Sequence, residues 1–482
     1  MYCAYVTRIE NMRKHSNADR LMCGECFGST VIVGLDTQPN ELGVYFPVDG
    51  QLGVEYAVKN DLLRRKDESG NPAGGYLDPE KRNIKALKLR GEKSDGLFMP
   101  LSSLESFTDV SKLKEGDTIT VLGGVTICEK YIPHTKRSAP SGDCGNRTRK
   151  KRIPIAPLFM EHADTEQLAY NLAAFCPGDL VEITLKMHGT SQRTGYLPTF
   201  KGYKRTLLDK ILRREGTPIY EYGYVSGTRR VVLENYEGGF YGNNTFREQH
   251  SKFFEGKLHK GETVYYEVVG FTTDGTPIMA SADNKKVDKL VGDKEFSKKY
   301  GAQTVFSYGC QPNGSGDGST TFAKDKNGNR VMEFTPAPQS DLYVYRMTMT
   351  NEDGDVVEYP PDFMRYRCKQ MGVKCVQEFK RFIVPEPDAN GKFPFGDADG
   401  NFMYLNSAGD YVKTMAELFY DGADPVGKTH VREGVVIRIV NRPKFAAYKH
   451  KNFSFKVLEG MIKESASAPD MEEAQEATED AA

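Results

Sequence analysis

The stretch Leu185-Lys186-Met187-His188-Gly189-Thr190-Ser191 gathers a primary amine, an imidazole and two hydroxyls around one glycine. A lysine in that setting could be a nucleophile, a phosphate clamp, or a solvated surface charge. The residues before it say how it is held. Val181, Ile183 and Leu185 alternate with Glu182, Thr184 and Lys186, which is the period of a half-buried strand. Lys186 therefore ends a strand on its polar face, and Gly189 lets the chain turn away.

Four later segments repeat this logic of a strand carrying a polar residue that could face a shared pocket. TRRVVLE brings Arg229 and Arg230; TVYYEVVG brings Glu267, just before Gly270; LYVYRMTM brings Tyr343 and Tyr345; REGVVIRIV opens on Glu433. The basic segment AAYKHKNFSFKVLEG follows with Lys449, Lys451 and Lys456. Each could be an ordinary strand with one polar neighbour. The chain order Lys, Arg, Glu, aromatic, Glu, Lys is harder to assign to independent surfaces.

The elements that must position these residues can be sketched. A chain of 482 residues suggests about two to four domains. Its 39% hydrophobic and 27% charged content fits a globular protein with ample core. A net charge of −1 gives no global basic field, so any nucleic-acid contact must come from local patches. Nine cysteines without framework spacing read as free thiols of a reducing compartment. The Cys23-x-x-Cys26 pair has no suitably spaced second pair and is a poor zinc site. No run of apolar residues is long enough for a membrane helix, and MYCAYVTRIENMRKH has no apolar signal core, so no membrane partner and a cytoplasmic location are expected.

Residues 1–130 read as short strands and turns, suggesting a small barrel. Residues 131–156 are a basic linker: HTKRSAPSGDCGNRTRKKR holds seven Lys or Arg and one acid. This is either a solvated tether or a loop that orders on phosphates. Residues 157–462 form a mixed region, with strands expected at 180–186, 222–226, 263–269, 303–307, 342–349 and 433–440 and helices near 205–214 and 362–373. The segment 270–340 is rich in hairpin signals and has no evident role. Residues 463–482 carry an acidic run and form a disordered tail.

Lys186-Met187-His188-Gly189 resembles motif I of the covalent nucleotidyltransferases, the superfamily of DNA ligases, RNA ligases and mRNA capping enzymes, whose general form is K-x-D-G. The K-x-H-G variant followed by small polar residues is similar to RNA ligases of the phage second-ligase type and their bacterial relatives. Glu267-Val268-Val269-Gly270 resembles motif III, Tyr343-Val344-Tyr345 motif IIIa, and Glu433-Gly434-Val435-Val436-Ile437 motif IV. Arg229 matches the arginine that follows motif I. Lys449-His450-Lys451-Asn452 fits the basic motif V, with Lys456 as its rival on an expected strand with Phe453, Phe455 and Val457 on the opposite face. At the N-terminus, His15-Ser16-Asn17-Ala18-Asp19-Arg20-Leu21, Lys85–Gly91 and Ser94-Asp95-Gly96-Leu97 look like an OB-fold of the tRNA-binding kind. An OB module placed before the transferase domain is similar to ATP-dependent RNA ligases of the Deinococcus type.

The resemblance implies an α+β protein: an N-terminal OB-fold β-barrel followed by a mixed antiparallel-sheet nucleotidyltransferase (adenylyltransferase) domain. It implies ATP and Mg2+ (or Mn2+) as cofactors and phosphoryl transfer in three steps. Lys186 takes AMP from ATP, AMP passes to an RNA 5′-phosphate, and the 3′-hydroxyl of the other end displaces it. By the same resemblance Glu267 accepts a hydrogen bond from the ribose and Arg229 holds the sugar–phosphate end. Tyr345 stacks on adenine, Glu433 holds the metal, and Lys449 and Lys451 face the α-phosphate. Gly189 and Lys186 lie against the nucleotide, and His188 meets phosphate or metal-bound water, or only packs. Lys85, Lys88, Arg90 and Lys93 would track phosphates on the barrel. The implied partner is RNA, as a nicked duplex or broken ends, with an RNA–DNA hybrid also open, and the protein is expected to be a monomer. Two other readings remain: another member of the superfamily, such as a capping guanylyltransferase or DNA ligase, and a non-enzymatic RNA-binding protein on an inert fold.

Overall fold

The structure, a computed structural model, describes residues 2–132 and 155–464, apart from short stretches at 68, 71, 164, 213–215, 234–235, 237–240, 242–243, 293, 315–318, 325, 336 and 397–401. Most of the basic linker and the acidic tail lie outside the described residues. The chain forms two compact units: residues 2–132, 282–304 and 451–464 make one, and residues 155–281 and 305–450 the other. Segments 282–304 and 451–462, read from sequence as part of the second region, thus belong with the first.

The first unit is built on short antiparallel ladders. One sheet has the order Leu97–Pro100, Leu42–Phe46, Ala4–Arg8, Thr118–Ile119; a second joins Glu10–Lys14, Leu21–Cys26 and Ser29–Gly34. Ala4, Val6, Val44, Phe46, Leu52 and Tyr56 are fully buried between the elements. Among the described residues these ladders do not join into one closed barrel. Cys23 and Cys26 are free and buried. Burial pushes the Cys26 thiol up to about 12, which suits inert core sulfur rather than a metal-binding thiolate.

The helix Phe453–Glu464 corrects the strand expected around Lys456. Phe455, Leu458, Glu459 and Ile462 are buried at the helical spacing i, i+3, i+4, i+7, and Val457 is buried beside them. Asn452 starts it, its side-chain oxygen accepting from the Phe455 N–H at 2.6 Å, as an N-cap does.

The second unit holds two sheets. The first has the order Glu166–Gln167, Ala446–Lys451, Gly434–Ile439, Leu180–Lys186, Glu378–Ile383. Val181, Ile183, Val435, Ile437 and Ile439 point to one face and pack on Leu168, Phe175, Val412 and Ala416. Each such side chain, fully buried, stabilises by about 1.5–3 kcal/mol. The opposite face carries the alternate residues, Glu182, Thr184 and Lys186 among them. The second sheet has the order Thr217–Gly227, Thr190–Lys204, Glu262–Gly270, Ser340–Thr350, Val356–Glu358. Met187, His188 and Gly189 are the whole link between the strand Leu180–Lys186 of one sheet and Thr190–Lys204 of the other. Chemistry-bearing residues of the motif therefore sit where the chain changes sheets.

Candidate active site

Register explains the site. Lys186 pairs with Gly434 in the antiparallel ladder, so Glu433 lies beside the lysine. The Lys186 Nζ is 2.8 Å from Glu433 Oε1, with the glutamate side chain 2% exposed and the lysine 23%. Glu433 Oε2 is 3.7 Å from His188 Nδ1. In the other sheet Ser191 pairs with Glu267, and Glu267 with Tyr343. Glu267 Oε1 accepts from the Gly189 N–H at 3.1 Å, and Ser191 Oγ shares a hydrogen bond of 2.8 Å with the Tyr345 hydroxyl. The lysine, both glutamates, His188 and Tyr345 are thus gathered around one three-residue link.

Gly189 is required by close approach. A Cβ there would lie 2.4 Å from the carbonyl oxygen of Val268 and 2.9 Å from Glu267 Cγ. Only a residue without a side chain lets the link pass this near to the Glu267 strand.

One wall comes from the segment that had no evident role in the sequence. The His188 N–H donates to the Tyr308 hydroxyl at 2.8 Å, and the His188 ring meets Phe306 edge-on at 4.5 Å between centroids. His430 packs against Phe306 and Tyr308 at 4.9 and 4.7 Å. Burial, then the nearby carboxylates of Asp424, Glu433 and Glu267, push the Tyr308 phenol well above its ordinary value, so it remains a neutral hydroxyl. Asp424 and His430 are buried too: burial raises the carboxyl and lowers the imidazole. Asp424 Oδ1 accepts from the Val426 and Gly427 N–H groups at 2.8 and 2.7 Å. The alternation of Phe306 and Tyr308 with Val305 and Ser307 was the available sequence signal, and both rings are buried.

On the Tyr345 side, His162 contacts the rings of Tyr345 and Tyr265 at 5.1 and 5.4 Å. Burial and the charges of Arg346, Arg229 and Arg193 hold its pKa well below the usual histidine value. Arg346 donates to its Nδ1 at 3.2 Å, so that nitrogen is an acceptor. Arg229 is half-buried and its carbonyl accepts from the His162 N–H at 3.1 Å, which puts it on this side of the site. Two other arginines are more deeply buried: Arg193, tied to the carbonyls of Phe159, Met160, Thr228 and Arg230, and Arg247, tied to Ser191 and Thr190. Both hold the frame of the sheet.

The three basic candidates separate. Lys449 is half-buried on the strand Ala446–Lys451. It lies on the face opposite Tyr448, which packs into the apolar core, and so shares the sheet face of Lys186. Lys451 is held by both carboxylate oxygens of Glu459 at 2.8 Å. Lys456 sits on the helix Phe453–Glu464 with its Nζ 2.6 Å from Asp95 Oδ2.

Among the described residues no group of three His, Cys, Asp or Glu side chains is arranged to hold a metal ion. A hard cation that keeps its waters and takes phosphate oxygens needs only one or two protein carboxylates. Glu433 and Glu267, one at Lys186 and the other at the Gly189 N–H, fit that mode of binding. No helix among the described residues is long and apolar enough to cross a membrane.

No protein-family model matches the chain, and no curated protein does. Solved structures are similar in fold. Naegleria gruberi RNA ligase with PPi matches at 15% identity and a TM-score of 0.51, over 94% of this chain and 97% of that one. A variant of the same ligase with ATP and Mn matches at 15% identity and 0.51, over 94% and 98%. Another variant, with AMP and Mn, matches at 14% and 0.50, over 94% and 97%. This chain, a sheet-rich α/β protein, therefore has the fold of an RNA ligase.

Proposed function

We propose that the chain is an ATP-dependent RNA ligase that joins 3′-hydroxyl and 5′-phosphate ends through a lysyl-AMP intermediate. The observation that carries this reading is the Lys186 amine held 2.8 Å from Glu433 at the link whose next residues engage Glu267 and Tyr345. The fold likeness to a ligase solved with ATP, AMP and PPi supports it.

In the first step the Lys186 nitrogen forms a bond to the α-phosphorus of ATP as the bond to pyrophosphate breaks. The amine must lose its proton to attack, and Glu433 Oε1 is within hydrogen-bond reach to receive it. In the second step a 5′-phosphate oxygen of RNA takes the AMP and the lysine nitrogen leaves. In the third the 3′-hydroxyl attacks that 5′-phosphorus and AMP departs. Tyr345 would present its ring to adenine, with His162 behind it. Glu267 would accept from a ribose hydroxyl while holding the Gly189 N–H. Arg229 and Lys449 would neutralise phosphate charge. Glu433, with Glu267, would hold Mg2+ or Mn2+, which supplies charge neutralisation on the phosphates. His188, fixed by Tyr308 and Phe306, would meet a phosphate oxygen.

We further propose that the first unit is a nucleic-acid-binding module of the OB type, as in the Deinococcus-type ligases. The test of the main reading is incubation with Mg2+ and ATP labelled at the α-phosphate. Label that survives denaturation, needs Lys186 and is not obtained with GTP supports the reading. A protein that takes no label and carries no AMP by mass overturns it.

A further inference from the structure

The two strands after the site form a ribbon, Thr190–Lys204 with Thr217–Gly227. Its register pairs Tyr196 with Tyr224, Pro198 with Tyr222 and Phe200 with Tyr220. Residues directly opposite in a ladder share a face. One face of the ribbon therefore carries five aromatic rings and one proline. The rings pack on one another: Tyr196 stacks on Tyr224 at 4.6 Å with planes 23° apart, and Phe200 meets Tyr220 at 5.9 Å.

The other face anchors the ribbon. Leu197 is fully buried with Ala156, Phe159 and Val225, and Thr199 is buried on the same side. The aromatic face is only half-covered at each of its five rings. From residue 196 to residue 200 it runs about 13 Å along the strand.

A cation lies over one of the rings. Lys260 Nζ lies 4.8 Å from the Tyr222 ring centroid, and exposed Arg205 follows the far end of the ribbon, while Lys201 reaches toward Gly223 on the anchored face. Glu352 reaches the Tyr222 hydroxyl, and Glu221 pairs with Thr199 on the anchored face.

We propose that this face is a stacking platform for a single-stranded stretch of RNA. Ring faces accept any base, and Lys260 beside them accepts a phosphate. The proposal rests on the ligase reading for the identity of the nucleic acid, and it adds a site outside the lysine pocket. It places unpaired bases of the substrate on the ribbon that begins four residues after Lys186.

The test measures fluorescence anisotropy of a labelled oligouridylate with the full chain, the double variant Tyr196→Ala/Tyr222→Ala, and Tyr196→Phe/Tyr222→Phe. Self-labelling with α-labelled ATP is followed in parallel. The Ala pair should weaken oligouridylate binding by about tenfold or more, the Phe pair should bind like the parent, and all three should take label equally. Unchanged affinity in the Ala pair overturns the proposal. A parent protein that labels itself but does not bind the oligonucleotide overturns the platform and leaves the ligase reading standing. A parent that binds through the rings but takes no label and carries no AMP by mass keeps the platform and sinks the ligase. A third variant, Leu207→Ser/Leu208→Ser, removes two of the four exposed apolar residues of the adjoining turn of helix. If only that variant lost binding, the contact would be at the tip and the platform would be wrong.

Discussion

Glu433 stands 2.8 Å from Lys186 because Lys186 is opposite Gly434 in the ladder. The ion pair is set by backbone hydrogen bonds over six residue pairs, not by the flexibility of the two side chains. Lys186→Ala should remove all protein-bound label from α-labelled ATP, and Lys186→Arg should do the same, since a guanidinium keeps its charge and is a poor nucleophile. Circular dichroism of both should match the parent. Label retained by either variant would move the nucleophile elsewhere.

Glu433→Gln keeps the shape of the side chain and removes its charge. Labelling should fall by about 100-fold or more, in line with loss of a preorganised charge at a reacting centre. A rate within about threefold of the parent would show that Glu433 only tethers the lysine.

Gly189→Ala should damage both fold and chemistry. The added methyl meets the Val268 carbonyl oxygen at 2.4 Å, so one of the two strands must shift, at a cost of about 1–3 kcal/mol. Thermal unfolding should show a lower midpoint, and labelling should be lost at temperatures where the variant is still folded. A normal midpoint with normal labelling would place the link elsewhere.

Tyr345→Phe keeps the ring and loses the hydrogen bond to Ser191. It should raise the apparent KM for ATP less than about fivefold, whereas Tyr345→Ala should raise it more than about tenfold. Equal effects of the two changes would argue against a stacking role.

Stability should fall in mild acid. Burial lowers the His250 pKa to about 4, and its Nε2 is 2.9 Å from Ser340 Oγ; His162 is shifted in the same direction. Between the folded value and the ordinary 6.5, the unfolded chain binds a proton that the folded chain does not. Stability therefore rises with pH across that window and is lost as pH drops from 6.5 toward 4. Melting scans from pH 7.5 to 5 should show a falling midpoint, with a shallower slope in His250→Asn. A flat profile would mean that neither imidazole is held neutral.

Much of this site was legible because alternation reveals strands and strands bring distant residues together. The periods around Lys186, Glu267, Tyr345 and Glu433 mark the strands that the structure contains. Register could not be read, so neither the 2.8 Å ion pair nor the Glu267–Gly189 contact was foreseen. Tyr308 and His430 were hidden for another reason. They sit outside the regular strands, Tyr308 with a φ of 49°, and the alternation of buried Thr304, Phe306 and Tyr308 does not say which site an inward side chain lines. Lys456 was misplaced because Phe453, Phe455 and Val457 mimic a period of two, while the helical spacing of Phe455, Leu458 and Ile462 and the Asn452 cap were equally present. The short ladders of the first unit suggested one barrel, but sequence says nothing about which strands close a sheet.

The first unit is assembled from three separated pieces of chain, and two of them are interruptions or continuations of the second. The backbone leaves residue 281, returns at 305, and leaves again at 450. Neither unit can therefore be obtained by cutting the gene at a single place. A fragment that stops at residue 132 lacks the helices Asn284–Val291 and Phe453–Glu464, and one that begins at 155 carries those helices without the strands they pack on. A protease cut within the basic linker would divide the first unit itself, parting residues 2–132 from its other two pieces. Dissecting binding from catalysis in this molecule is a task for point substitutions rather than truncation.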